Sequence, residues 1–230
     1  MAEQTHGDTV GRDFTLNLIQ GRPIKAADRC VRLLVAVTGA SGMIYARMLL
    51  EAVAKDYDTV YLTSTEHSRV VMRNELDIDT VSGLLPEAVP VGEDLGVLPR
   101  FVVLDNSDLS APPASGSHEY EGMVVIPCSM GTLGRIASGV SSNLIERAAD
   151  VCLKERRKLV LVTRETPLNL IHLRNMTTLA EAGAVILPAC PAFYNGPKSL
   201  EDAAEFVVDR VLRVLGSSRR LTADWGEERE

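Results

Sequence analysis

The chain has 230 residues, 46% hydrophobic and 24% charged, which excludes global disorder and suits one domain with a sizeable core. Thirty-one acidic against 24 basic residues give a net charge of -7, which argues against broad non-specific DNA binding. Aromatics at 4% argue against a stacking platform for single-stranded nucleic acid.

The N-terminus lacks the basic start and apolar core of a signal peptide. No apolar run approaches the roughly 20 residues of a membrane helix, so the expectation is a soluble cytoplasmic protein with no membrane partner. Residues 1–29 are polar and aperiodic and read as a flexible N-terminal extension. Residues 30–230 read as the single folded domain. Short runs rich in Val, Ile and Leu then recur: Val31–Val37, Thr59–Thr63, Phe101–Leu104, Met123–Ile126, Leu159–Thr163 and Ala184–Leu187. Near-continuous apolar runs of this length predict strands buried on both faces. Helix-length segments lie between most of them, over Met43–Lys55, Ser142–Arg156 and Leu168–Ala182, and Ser199–Leu215 follows the last. The alternation predicts an α/β fold of three layers, a Rossmann-like or flavodoxin-like parallel sheet with helices on both faces. The long irregular stretch 105–121 holds Ala111-Pro-Pro-Ala-Ser-Gly-Ser117 and is expected to be functional or interfacial.

Ligands of open α/β sheets bind beyond the carboxyl ends of the strands. Five of these ends carry small, hydroxylated, glycine-rich or charged residues. They are Thr38-Gly-Ala-Ser-Gly42, Ser64-Thr-Glu-His67, Pro127-Cys-Ser-Met-Gly-Thr132, Arg164-Glu-Thr-Pro167 and Pro188–Pro197. The first opens a helix whose free N–H groups attract phosphate. It is not GxGxxG. It begins like the TGAxxxG of short-chain dehydrogenases, but Gly and Pro inside Tyr194-Asn-Gly-Pro-Lys198 break the helix those enzymes need. At the third end Ser129 is a candidate helix N-cap, with Gly131 and Thr132 beside it. Arg164 and Glu165 follow a buried strand directly, where charge is unexpected unless it serves a site. Arg binds phosphate bidentately and Glu can move a proton. Arg147 and Lys154 lie seven apart on a predicted helix and so point the same way. Ser64 and Glu75 would share a face if one helix ran through both. His67, His118 and His172 read as structural or surface groups. Cys30, Cys128, Cys152 and Cys190 form no CxxC pair and read as buried free thiols; no metal site is expected.

Together, Thr38–Gly42, Ala111–Ser117, Pro127–Thr132, Asn143–Asp150, Leu153–Arg157 and Pro191-Ala-Phe-Tyr-Asn195 resemble the flavin prenyltransferases of the UbiX type. The likeness covers about residues 31–226. It implies transfer of a dimethylallyl group from dimethylallyl phosphate to N5 and C6 of reduced FMN, without metal. It also implies delivery of prenylated FMN to a UbiD-type decarboxylase, and a homododecamer with sites at subunit boundaries. By position, Gly39, Ala40, Ser41, Ser64, Ser129, Met130, Gly131, Thr132 and Arg164 would hold FMN. Arg147, Lys154, Tyr194 and Arg210 would bind dimethylallyl phosphate. Glu165, Ser41, Glu75 and Lys154 would serve catalysis. Trp225 stands where the family often has an aromatic, and Met130 replaces a small hydroxylated residue of some relatives. Two alternatives are an FMN-dependent decarboxylase of cysteinyl substrates and a non-catalytic FMN carrier.

Overall fold

The computed structural model describes residues 31–86, 100–194 and 196–222. The N-terminal extension, Cys30 and Trp225 lie outside the described residues. Six parallel strands form one sheet: β1 (Arg32–Val37), β2 (Thr59–Ser64), β3 (Arg100–Val103), β4 (Gly122–Cys128), β5 (Lys158–Thr163) and β6 (Val185–Pro188). Their order is β3-β2-β1-β4-β5-β6. The six helices are α1 (Met43–Val53), α2 (Glu66–Leu76), α3 (Met130–Ala137), α4 (Leu144–Lys154), α5 (Leu170–Glu181) and α6 (Leu200–Leu215). The expected α/β architecture is therefore the one observed. No helix among the described residues is long and apolar enough to cross a membrane.

The continuous apolar runs have their cause in this layering. Successive side chains of β1 point to opposite faces, and both faces are covered. Leu33, Val35 and Val37 pack with α1 and α6, while Leu34 and Ala36 pack with α3 and α4. Helix starts are marked by caps. Asn143 accepts from the Glu146 N–H at 3.0 Å, and Ser199 accepts from the Asp202 N–H at 3.0 Å. Asn169 and His172 form a reciprocal capping pair on α5, so His172 is structural. His118 is held by the Tyr61 hydroxyl at 2.9 Å. At the end of α6, Gly216 has φ 89°, a left-handed turn that favours glycine.

The cysteine expectation holds for two residues and fails for one. Cys128 and Cys152 are free and buried, and burial pushes the Cys128 thiol up to about 12 and the Cys152 thiol up to about 11. Cys190 is free but exposed, because β6 is an edge strand and the residue lies beyond its end.

Candidate active site

Strand order reverses between β1 and β4, which opens a crevice beyond their carboxyl ends. One buried side chain ties the two ends together. The Thr38 hydroxyl donates to the Pro127 carbonyl at 2.7 Å and accepts from the Ser129 N–H at 2.8 Å. The turns Gly39–Gly42 and Ser129–Thr132 are thereby fixed side by side. Thr38 is fully buried and does not touch the crevice, so strand-end inspection passes over it as a site residue.

The first turn is crowded on both sides. A Cβ on Gly39 would come within 2.9 Å of the His67 Cβ, so the loop after β2 lies against this glycine. Gly42 has φ 113°, and a Cβ there would meet the Tyr45 ring at 2.8 Å. The α1 N-terminus is not open to an anion as the sequence suggests. The Glu75 carboxylate accepts from the Gly42 N–H at 3.0 Å and the Met43 N–H at 2.8 Å. Gly42 has no side chain to cap with, and a carboxylate from α2 takes that place.

The expectation that Ser64 and Glu75 share one helix is corrected. Ser64 closes β2, Thr65 is extended, and α2 begins at Glu66. Both residues still reach the same edge, Ser64 through its strand and Glu75 through Gly42. Beside Ser64, the Thr65 hydroxyl is buried without a hydrogen-bond partner.

In the second turn Ser129 is the cap of α3, and its hydroxyl accepts from the Thr132 N–H at 3.3 Å. Met130 is buried in the core below, so its backbone alone is available to a ligand. Gly131 is exposed. The Thr132 hydroxyl is 3.1 Å from that of Ser129 and accepts from Arg135 at 3.3 Å. Arg135 also pairs through Nε with Glu146, whose side chain is fully buried. The Glu146 carboxylate further accepts from Ser142 N–H at 2.9 Å and Ser142 Oγ at 2.6 Å. Burial alone would raise the Glu146 carboxyl, but hydrogen bonds from Ser142 and Arg135 outweigh it and hold the group below the usual glutamate value.

Arg164 and Glu165 stand exposed beyond β5. The Arg164 side chain makes no hydrogen bond or ion pair among the described residues; only its N–H is bonded, to the Cys128 carbonyl at 3.3 Å. A Glu165 carboxylate oxygen accepts from the Thr166 N–H at 3.0 Å. Tyr45, which the sequence reading passed over, is half-buried within range of Cys190, Arg164 and Glu75. Burial and Cys190 raise its phenol, Arg164 opposes them, and Glu75 adds to the rise. Its spacing in α1 reads as one more core position, so no local signal marks it.

Tyr194, after β6, and Arg210, on α6, meet across Phe206. The Tyr194 and Phe206 rings are edge to face, with centroids 6.1 Å apart. The Arg210 guanidinium lies 4.9 Å from the Phe206 ring centroid.

Arg147 and Lys154 do not join this group. They share a side of α4, as their spacing predicts, but that side faces the segment 112–117. Arg147 donates to the Ala114 carbonyl at 3.0 Å and pairs with Asp150 at 2.6 Å. Lys154 pairs with Glu155 next to Gly116. The end of α4 leads into the start of β5, so Lys154 sits at the amino edge of the sheet, opposite the crevice. A cavity of about 380 Å³ at that edge, lined by Glu119, Tyr120, Arg156 and Lys158 among others, is likewise remote from the strand ends.

The Flavoprotein family model matches residues 22–212 of the chain. The flavin prenyltransferase UbiX of Methanocaldococcus jannaschii is 44% identical over 196 residues, covering 85% of this chain and 99% of that protein. AnUbiX, solved in complex with FMN and dimethylallyl pyrophosphate, is 38% identical with a TM-score of 0.73, over 85% of this chain and 100% of that one. A dodecameric FMN-dependent UbiX-like decarboxylase from Escherichia coli is 35% identical with a TM-score of 0.75, over 86% of this chain and 100% of that one.

Proposed function

We propose that this chain, which belongs to the Flavoprotein family as a flavin prenyltransferase of the UbiX kind, joins a dimethylallyl group from dimethylallyl phosphate to N5 and C6 of reduced FMN. The observation that carries the reading is Arg164, a cation at the crevice edge with no carboxylate partner among the described residues; a second such cation, Arg210, stacks on Phe206, which also meets Tyr194. Such cations suit a leaving phosphate better than they suit a fold.

The residues fit FMN. The Thr65 hydroxyl beside Ser64 is buried without a hydrogen-bond partner, and a polar ligand group reaching the β2 end would supply one. Gly39, Ala40 and Ser41, Ser64, and Arg164 would hold the flavin from the β1, β2 and β5 ends. Met130 and Gly131 would do so from α3 through backbone N–H groups, while Ser129 and Thr132, whose N–H groups go to the Thr38 and Ser129 hydroxyls and whose own hydroxyls are engaged with each other, would line the turn. Glu75 acts by fixing the Gly42 turn, and Ser41 next to that turn is a polar neighbour of the ring.

The reduced flavin supplies the electron-rich nucleophile; the allylic C–O bond breaks and the phosphate leaves with the electron pair. Arg164, Arg210 and the Tyr194 hydroxyl stabilise that growing negative charge without a metal ion. N5 gives up its proton to the leaving phosphate as it bonds to the allylic carbon; in the second bond one carbon of the prenyl alkene takes up a proton from that phosphate, the other joins the ring carbon, and the ring carbon loses its proton, for which Glu165 is the acceptor within the chain. Arg147 and Lys154 lie away from this edge, so we assign them to the site of an adjacent copy. The product passes to a separate UbiD-type decarboxylase, and we place the protein in the cytoplasm.

Incubating the protein with reduced FMN and dimethylallyl phosphate, without air, should give a flavin heavier by one five-carbon isoprenyl unit on mass spectrometry. An unchanged flavin with both the monophosphate and the diphosphate would overturn the reading. It would leave cysteinyl decarboxylation or flavin carriage. Product from the diphosphate alone would change the donor and keep the reaction.

Assembly into a dodecamer is supported by an apolar stripe on α5, where Leu170, Ile171 and Leu173 are 59%, 67% and 47% exposed. Ile171→Asp should reduce the particle mass seen by light scattering, because burying an unpaired carboxylate between copies is costly. An unchanged mass removes α5 from the interface.

A further inference from the structure

Apart from one short 3₁₀ turn over Pro112–Ala114, the segment 111–118 has no regular structure, yet nearly all its carbonyls are occupied. Those of Ala111, Pro112 and Ser115 accept from the N–H groups of Ala114, Ser115 and His118 within the segment. Four others are met by side chains from outside it. The Tyr120 hydroxyl donates to Pro113 at 3.2 Å and Arg147 to Ala114 at 3.0 Å, while Arg157 donates to both Gly116 at 2.6 Å and His118 at 2.8 Å. A loop bonded in this way is held in one shape.

Arg157 is the centre of that hold. It stands just before β5, its guanidinium lies 4.4 Å from the Tyr120 ring centroid, and its two Nη groups reach carbonyls two residues apart. Among the described residues it pairs with no carboxylate. The loop is in turn the seat of the two cations of α4. Arg147 is bonded to Ala114, and the Lys154 Nζ overlies Gly116, where an added Cβ would come within 2.6 Å of it. The carboxylates they pair with, Asp150 and Glu155, have side chains 44% and 38% exposed. Exposed pairs of this kind contribute little, so a phosphate dianion can displace them.

We propose that Arg157 is a positioning residue that acts in trans: by fixing the segment 113–118 it presents Arg147 and Lys154, as a preformed pair, to the donor phosphate in the site of an adjacent copy. The inference rests on the prenyltransferase reading for the identity of the anion, but not for the sharing of one anion site between two copies.

The test is subunit complementation with full-length chains. Arg157→Met keeps an aliphatic stem over Tyr120 and removes both donors. Alone, it should lower kcat/KM for dimethylallyl phosphate about tenfold through KM, with FMN affinity and assembly mass unchanged. Arg157→Lys, whose single ammonium cannot span both carbonyls as a fork does, should recover part of the loss. Arg157→Met and Arg164→Ala chains are then co-expressed under two affinity tags and purified through both. A site whose own chain keeps Arg164 and whose neighbour keeps Arg157 is native, so about a quarter of the parent rate should return at low donor concentration. Calorimetry with inorganic phosphate on the FMN-loaded assemblies reads the same site without turnover: Kd should rise about tenfold in Arg157→Met, and sites with the parent's Kd should reappear in the mixed assembly. A parent that binds phosphate but makes no prenylated flavin would sink the prenyltransferase reading, and recovery of phosphate binding in the mixed assembly would still uphold this inference. A mixed assembly no better than the average of its two components, in rate and in phosphate binding, would overturn it, since Arg157 would then act within its own chain or through general packing. So would an Arg157→Met protein with the parent's KM and phosphate Kd. If Arg157→Met does not assemble, Arg157→Lys takes its place in the mixture, and the same comparison decides.

Discussion

Arg164→Ala is expected to lower the rate of flavin prenylation by about 10²–10³-fold, the range for losing one preorganised donor to a developing negative charge. The same variant should keep the parent's melting temperature. The reason lies in what the side chain does not do. It is exposed and makes no hydrogen bond or ion pair among the described residues, and its only link to the fold is a backbone N–H to the Cys128 carbonyl, which Ala retains. Rate and stability are thus separable at this position, as they are not at buried Thr38 or Glu146. Arg164→Lys should recover only part of the loss, because an ammonium keeps the charge but not the planar fork. A second readout follows from Tyr45. Arg164 lowers the Tyr45 phenol, so its removal should move the tyrosinate absorbance transition to higher pH. Product mass per unit time measures the first effect and ultraviolet titration the second. A parent-like rate in Arg164→Ala would take this residue out of the reaction.

What the sequence made legible, and what it hid, divides along physical lines. The six strands were readable because a parallel strand covered on both faces has no polar alternation to confuse it, as in Leu33–Val37. The helix α3 was marked by its cap, Ser129, and the strand ends by their small and hydroxylated residues. The failures all concern contacts between residues far apart in the chain. Glu75 is 33 residues from Gly42, and nothing in local periodicity says that its carboxylate caps another helix. Its supposed common helix with Ser64 failed because β2 runs one residue further than its apolar run. Phe206 looked like any apolar position of an amphipathic helix. Spacing put Arg147 and Lys154 on one side of α4, as it should, but helical period carries no information on which edge of the sheet a helix end reaches. Strand polarity decides that, and it sends Lys154 away from the crevice.

Glu146→Ala is expected to destabilise the protein by about 3 kcal/mol, the low end for removing one partner of a buried ion pair, because Arg135 keeps 45% exposure and can be rehydrated. For a chain of this length that corresponds to a fall in melting temperature of roughly 6–12 °C. Glu146 is the hub of a chain of bonds. It accepts from Arg135 on α3 and from the Ser142 N–H and hydroxyl before α4, while Arg135 also donates to Thr132 in the α3 turn. Loosening it should weaken FMN binding as well as the fold, and a flavin titration of the folded variant measures that part. Acid should reproduce the effect in the parent. The folded-state pKa of Glu146 lies below its unfolded value of about 4.3. Its contribution is therefore complete above that value and is lost as pH falls through the folded pKa. Thermal melts of parent and Glu146→Ala should converge as pH drops from about 5 toward 3. Curves that stay parallel over that range would show that the carboxylate's charge is not what holds α3 to α4, leaving shape alone to do so.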